Sequence, residues 1–365
     1  MKTVLFLVYD IGGVMYEWQN IHYYNELSKN GWNVCKLSVT LESEFEDVLS
    51  SIKKYILLNK HPDLIVSSLD DRSVNYLFKK LFDSLSIPTL LICFDNLSVP
   101  HKHKKSAKYY DLVWLTSYET MHYFTQWGAT SIFMPYAANP YSLSPNGLER
   151  QSNITFLGSP YGARKSRINI LAESGVPISI YSKVSGSASP IQNLNQDFLS
   201  KVITAGHLSQ FPIGRRALVS ALFAAFDKKE LNLTNKFIKV HKPVSFDEIS
   251  SVYHQSSLCL NVSELWNTHM LKNPVHKLHL RTFEIPMSGG ILFSHRVPEL
   301  EGYFEDGKEA IYFDNDQDMV DKAKFYMRDE NFHLRQKLKK YARNRAASEH
   351  TWITRFQKIF DRFGL

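Results

Sequence analysis

At 365 residues, with 44% hydrophobic and 13% aromatic side chains and a formal net charge of +7, the chain can build real cores and is long for one domain. Two domains of about 150 to 200 residues are expected. No run of eighteen apolar residues occurs, which excludes a membrane-spanning helix. Cys35, Cys93 and Cys259 lie far apart in apolar runs, which excludes a metal-type cysteine pair and points to buried, reduced thiols in a cytoplasmic protein.

The first run, 3–9, is met by Asp10 after a few apolar residues and has no small-residue cleavage site, so it reads as a strand and not a signal peptide. Strands are predicted at 3–9, 33–37, 63–67, 88–94, 111–115 and 131–134, with helices at 17–29, 43–58, 72–83 and 117–126. Near-continuous apolar runs such as 88–94 belong to parallel strands buried on both faces. Their alternation with helices predicts a doubly wound sheet with right-handed crossovers.

A turn-rich stretch over 137–147 marks a linker. The alternation then restarts: strand 153–157, helix 162–173, strand 177–181, a surface loop at 185–190, helix 211–228, strand 236–240, helix 245–254 and strand 257–261. A short helix over 280–287, a Gly289-Gly290 break and a buried strand from Ile291 follow, then helices at 316–328, 331–348 and 351–363. Ligands of such sheets bind outside the carboxyl ends of the strands, so the expected site is a cleft between two domains.

Polar residues at those strand ends are the candidates. Gly12 and Gly13 follow the first strand; they suit either a backbone–ligand approach or a plain strand–helix turn. Asp95 ends the fourth strand, where a carboxylate serves as a base, holds a hydroxyl or caps a turn. The 101–105 loop, His-Lys-His-Lys-Lys, suits an anionic acceptor or plain solvation. In the second half, Gly158 precedes Arg164, Lys165 and Arg167 at a helix start. Amides, dipole and cations there would suit a diphosphate, with one or two of the three facing it. Asn261 ends another buried strand, and the aperiodic 264–276 reads as a loop over a pocket. His269, His276 and His279 fit no zinc spacing, so no metal site is expected. Arg281 and Glu284 stand one helical turn apart.

The charge gathers in the tail. Residues 322–365 hold twelve Lys/Arg and four Asp/Glu, a formal +8, leaving the rest near neutral. Solvated helix faces, an anionic acceptor, a phospholipid surface and nucleic acid are all open readings. The tail aromatics Tyr326, Phe332, Tyr341 and Trp352 fall at roughly helical spacing, which favours a packed face over a base-stacking platform.

From about residue 88 onward, an ordered set of pieces resembles the GT-B glycosyltransferases, specifically the CgeB-like group related to glycosyltransferase family 4. The pieces are 110–114, 135–140, Phe156-Leu157-Gly158 with Arg164-Lys165, 244–249 leading to Leu260-Asn261-Val262, Arg281 to Gly290, 303–310 and His350-Thr351-Trp352 with Arg355. The resemblance implies an α/β fold of two Rossmann-like, doubly wound parallel-sheet domains facing a central cleft. It implies an acceptor-side domain over 1–145, a nucleotide-sugar domain over 146–349 and a C-terminal helix, 350–365, crossing back to the first. It implies transfer of a sugar from a nucleotide-diphosphate sugar to a cell-surface glycan, lipid-linked or protein acceptor, metal-independent and retaining, with no cofactor. Glu284 matches the second acid of the family's Glu-x7-Glu motif, which binds ribose. His276 stands where the first acid is expected. Arg164, Lys165 and Arg281 would take the diphosphate, alongside Gly158 and Asn261, and Asp95 occupies the strand end where relatives carry a histidine. The alternatives are a sugar-nucleotide epimerase on the same scaffold and a basic nucleic-acid-binding protein. A cytoplasmic location is expected, with peripheral attachment of 331–363 to the inner membrane surface as a secondary expectation.

Overall fold

The computed structural model describes residues 1–9, 17–40, 43–59, 61–147, 151–182, 198–226 and 230–365. Gly12, Gly13 and the 185–190 loop lie outside them. The chain divides into two compact units, Met1–Asn139 with Trp352–Leu365, and Pro140–Thr351.

The first unit is a six-stranded sheet in the order β2-β1-β3-β4-β5-β6. Its strands are β1 (Thr3–Tyr9), β2 (Asn33–Val39), β3 (Leu64–Ser67), β4 (Thr89–Cys93), β5 (Leu112–Leu115) and β6 (Ser131–Phe133). Each pairs in parallel with its neighbours, as the continuous apolar runs predict. The predicted 17–29 helix contains a π-helical turn, Asn20–Tyr24, that passes into α1 (Asn25–Lys29) and buries His22, Tyr23 and Tyr24 in succession. A reciprocal Glu44–Asp47 capping box starts α2 (Phe45–Leu58), whose Val48, Ile52 and Ile56 face the core at helical spacing. Asn75 caps α3 (Tyr76–Leu85), which ends at left-handed Ser86 two residues before Pro88. A 3-10 turn leads into α4 (Met121–Gln126).

The second unit is another six-stranded parallel sheet, ordered β12-β11-β10-β7-β8-β9. In chain order it holds β7 (Gln151–Leu157), α5 (Ala163–Glu173), β8 (Ile178–Tyr181), α6 (Phe198–Ser209), α7 (Pro212–Phe226), β9 (Ile238–His241), α8 (Phe246–Gln255), β10 (Ser256–Asn261), α9 (Arg281–Met287), β11 (Leu292–His295), α10 (Pro298–Glu301), β12 (Ala310–Phe313), α11 (Asp316–Met327) and α12 (Phe332–Glu349). The order reverses between β7 and β10: one half of the unit winds away through β8 and β9, the other through β11 and β12. At such a switch point the loops after the two central strands part and leave a crevice. Sequence reading had no element for α6, α10 or β12. At four residues, between Glu309 and Asp314, β12 is too short to carry a period.

The last helix, α13 (Trp352–Phe363), belongs to the first unit, the crossing expected from the sequence. Its Trp352 and Ile353 amides donate to the buried Glu26 carboxylate at 3.1 and 2.9 Å, and Trp352 Nε1 donates to His22 Nδ1 at 3.1 Å. The Trp352 ring packs among Tyr23, Phe94 and Trp114. Basic tail residues in the second unit also turn inward. Lys339 donates to the His254 and Ser256 carbonyls at 2.7 and 2.8 Å, Arg335 to Tyr326 and Arg328, and Arg343 to Leu143 and Met287. Those cations satisfy buried carbonyls and form no basic face.

Candidate active site

The crevice of the second unit is built where β7 ends. Gly158 leaves the strand with φ +122°, and a Cβ there would lie 2.5 Å from Arg281 Nη1. Arg281 opens α9; its Nη1 donates to the Leu157 carbonyl at 2.7 Å, and its guanidinium lies 5.5 Å over the Phe156 ring. Arg164, in the first turn of α5, reaches the same ring at 6.0 Å, stacks on Tyr161 at 4.3 Å and donates to the Ser159 carbonyl at 3.0 Å.

Two guanidiniums therefore share one aromatic platform. Burial, then the Arg281 charge, push Arg164 down to about 9, so it stays charged at neutral pH under strain from its neighbour. Among the described residues neither guanidinium forms an ion pair, and Arg281 Nε is buried without a hydrogen-bond partner. Beside them His279 is held well below the usual histidine range, by burial and then by Lys277, Arg164 and Arg281, and is neutral at pH 7. Like charges concentrated in a crevice with an unused donor make a site for an anion.

The 264–276 segment clamps onto the start of α5. The Trp266 carbonyl accepts from the Ala163 amide at 3.2 Å, and the Gly162 Cα comes so near that a Cβ would meet that oxygen at 2.2 Å. Trp266 itself has φ +49°, a conformation L-residues hold only when their surroundings impose it. The Arg164 and Lys165 amides bond the Tyr161 and Gly162 carbonyls. The first amides of α5 are thus occupied, and the cations, more than the helix end, make this crevice electropositive.

The three basic residues of the α5 start take three different partners, because successive helical positions point in different directions. Lys165 pairs with Glu230 at 2.8 Å. Arg167 pairs with buried Glu264 at 2.8 Å and also with Asp316. Burial pushes the Glu264 carboxyl up, but Arg167 outweighs it and the net position is below the usual range. Glu264 forms an isolated antiparallel bridge with His276. His276 Nδ1 lies 2.9 Å from Ser263 Oγ, and its ring stacks on His295 at 5.4 Å. Burial lowers His276 below the ordinary range, Glu264 opposes this and His295 adds to it. At the end of β10, Asn261 donates to Ser294 Oγ at 3.3 Å while its Oδ1 is buried without a partner.

Glu284, one turn along α9 from Arg281, is 6% exposed. Its charge reaches Tyr253, whose hydroxyl is held well above the tyrosine range by burial and then by Glu284. The Gly289-Gly290 break is a tight turn: at φ +72° a Cβ on Gly289 would lie 2.8 Å from His254 Nδ1. In the first unit, Asp95 is exposed in a turn after β4, its carbonyl accepting from Ser98 and Val99. The adjacent Asn96 is buried and holds Ser117 and Thr120.

Of the expected site residues, the second unit gathers Gly158, Arg164 and Arg281 around Phe156. Asn261 ends the neighbouring strand and Glu284 lies on the helix that carries Arg281. Lys165 and His276 have partners of their own. The roles of the Phe156 and Tyr161 rings as guanidinium platforms, of His279 beside the two arginines and of Glu264 as the partner of Arg167 were not read from the sequence. The available signal was the polar and aromatic character of the β7 strand end and of the loop that follows it.

Residues 213–361 match the family model described as Glycosyl transferase-like. No curated protein matches the chain. Among solved structures, sucrose-phosphate synthase from Thermosynechococcus elongatus is similar at TM-score 0.57 and 11% identity over 99% of both chains. HepE of Anabaena, in complex with UDP-glucose, is similar at TM-score 0.59 and 12% identity over 100% of both. A glycosyltransferase from Rickettsia africae is similar at TM-score 0.55 and 11% identity over 99% of this chain and 97% of that one. At these identities the structural likeness speaks for the fold. The chain has the GT-B fold, and the glycosyl transferase-like match covers most of its second unit and runs into its last helix.

Proposed function

We propose that the protein transfers a sugar from a nucleoside-diphosphate sugar, a UDP-sugar foremost, as in the HepE complex with UDP-glucose. The observation that carries this reading is the pairing of buried Arg164 with half-buried Arg281 at the switch point, with no carboxylate bound to either among the described residues and Arg281 Nε unused. The diphosphate lies against the two guanidiniums and Glu284 takes the ribose hydroxyls. As the anomeric C–O bond to the β-phosphate breaks, negative charge grows on the leaving group. The fixed cations stabilise it and relieve their own repulsion, which serves the transition state more than the ground state. The acceptor oxygen bonds to the anomeric carbon. With retention it approaches on the leaving-group face, where a phosphate oxygen is the nearest base for its proton. Charge is balanced by arginines, so the reading is metal-independent. Asp95 is the first unit's candidate for an acceptor hydroxyl, and the CgeB-like group is the proposed closer kinship.

Calorimetry with UDP, GDP, CDP and ADP tests this. UDP is expected to bind tightest. Arg281→Met removes a charge-assisted contact of about 1.5–3 kcal/mol, weakening UDP roughly 10- to 150-fold. Unchanged affinity in both Arg281→Met and Glu284→Ala overturns the assignment.

A further inference from the structure

Between β8 and β9 the second unit inserts the helical hairpin α6–α7. Its inner side is well packed: Leu208, Phe211 and Ala217 are buried, and the helices approach so closely that a Cβ on Gly214 would lie 2.0 Å from the Leu208 carbonyl. Its outer side is exposed among the described residues. On α7, Val219, Leu222, Phe223 and Phe226 recur at i, i+3, i+4 and i+7, a single stripe, and all four are exposed, Leu222 at 66% and Phe226 at 86%. On α6, Val202 and Ile203 are about half exposed. A soluble helix turns such a stripe inward; one that leaves it in solvent has a partner.

The charge of the segment that carries the stripe points to that partner's chemistry. Residues 198–242 hold eight Lys/Arg against two Asp/Glu, a formal +6. Arg215, Lys236, Lys239 and Lys242 are exposed, whereas Glu230 is already paired with Lys165. Two copies meeting through this face would bring like charge against like charge. A nucleic acid would leave the leucine and phenylalanine stripe unused. An anionic bilayer surface takes both, apolar side chains at the acyl boundary and lysines among headgroups. The tail is a poorer candidate, since Trp352, Phe356, Ile359 and Phe360 are buried and Arg335, Lys339 and Arg343 bind carbonyls.

We propose that the α6–α7 hairpin is an interfacial docking element that seats the enzyme on an anionic membrane surface. The hairpin also packs on the 268–270 turn, within the loop that clamps the start of α5, and Arg216 bonds the Asn273 carbonyl there. Docking would hold the donor-side loop at the bilayer and suit a membrane-resident acceptor.

The test is co-sedimentation of the full chain with phosphatidylcholine vesicles, and with vesicles containing roughly a third phosphatidylglycerol to supply negative surface charge. Binding is expected to the anionic vesicles only. Leu222→Ser/Phe226→Ser should weaken it by about tenfold or more through lost apolar burial. Lys236→Glu/Lys239→Glu should weaken it by about twentyfold or more, each cation contributing about fivefold. UDP affinity is measured in parallel; its retention separates this outcome from failure of the donor site. The proposal is overturned if the wild type ignores anionic vesicles or if both variants bind like the wild type. It is equally overturned if sedimentation velocity shows a dimer that Leu222→Ser/Phe226→Ser dissociates, which would give the face to a second copy.

Discussion

Gly158 and Arg281 are coupled by contact, and the coupling has a size that can be worked out. Gly158→Ala puts a Cβ 2.5 Å from Arg281 Nη1 on a backbone at φ +122°. The backbone strain costs about 1–3 kcal/mol whatever the side chains do. The clash is with the tip of a long side chain, so Arg281 can swing aside, and the steric cost is bounded by what it gives up. That is the 2.7 Å bond to the Leu157 carbonyl, about 1–3 kcal/mol when the acceptor is left buried and unpaired. The single substitution should therefore lose roughly 2–6 kcal/mol. Arg281→Ala in the wild-type background should lose about 1–3 kcal/mol, and almost nothing further, within about 0.5 kcal/mol, once Gly158 is alanine. Urea unfolding of the four proteins of the cycle measures this. If Arg281→Ala costs the same in both backgrounds, the residues do not touch and the crevice is not built as described. UDP binding adds a second reading, because Gly158→Ala should weaken it as much as Arg281→Ala does while leaving the arginine in the chain.

Glu264 sits below its usual range in the folded protein because Arg167 outweighs burial, so it contributes stability above the unfolded-state value, about 4.3, that is lost as pH falls through the folded one. Glu264→Gln should thus be less stable than the wild type at pH 7, and in thermal unfolding the gap should narrow as pH falls below the unfolded-state value and close once it passes the folded one. Glu26→Ala strips the acceptor from the Trp352 and Ile353 amides; a loss of about 2 kcal/mol and faster proteolytic release of the C-terminal helix are expected. Gly162→Ala forces a Cβ against the Trp266 carbonyl, 2.2 Å away, and should lower the unfolding midpoint by at least as much as Gly158→Ala. Lys165→Met removes only a surface-side pair with Glu230, so UDP affinity should change less than threefold in the same calorimetric assay.

The fold was legible because both sheets are parallel and buried, so β1 and β4 are written as near-continuous apolar runs. A short edge element carried too little signal: β12 has four residues. For the site, chain order located the right strand ends, but contact partners lay beyond it. Nothing in the sequence tells Arg164 from Lys165 and Arg167. The structure divides them through Phe156, Glu230 and Glu264, which are respectively 8, 65 and 97 residues away. The tail's +8 is a count of side chains that does not tell Arg335, Lys339 and Arg343, which bind carbonyls, from exposed cations such as Lys324, Lys337 and Lys340.

Helix α13 completes a unit that the chain began hundreds of residues earlier. A ribosome delivers the six strands of the first unit by Phe133, then must make the whole second unit before Trp352 emerges. Throughout that interval the pocket that will hold Trp352, walled by Tyr23, Phe94 and Trp114, has no occupant, and the Glu26 carboxylate has no helix start to cap. Synthesis is vectorial, so the first unit closes its aromatic pocket only after the second has been made, and until then those rings are exposed apolar surface.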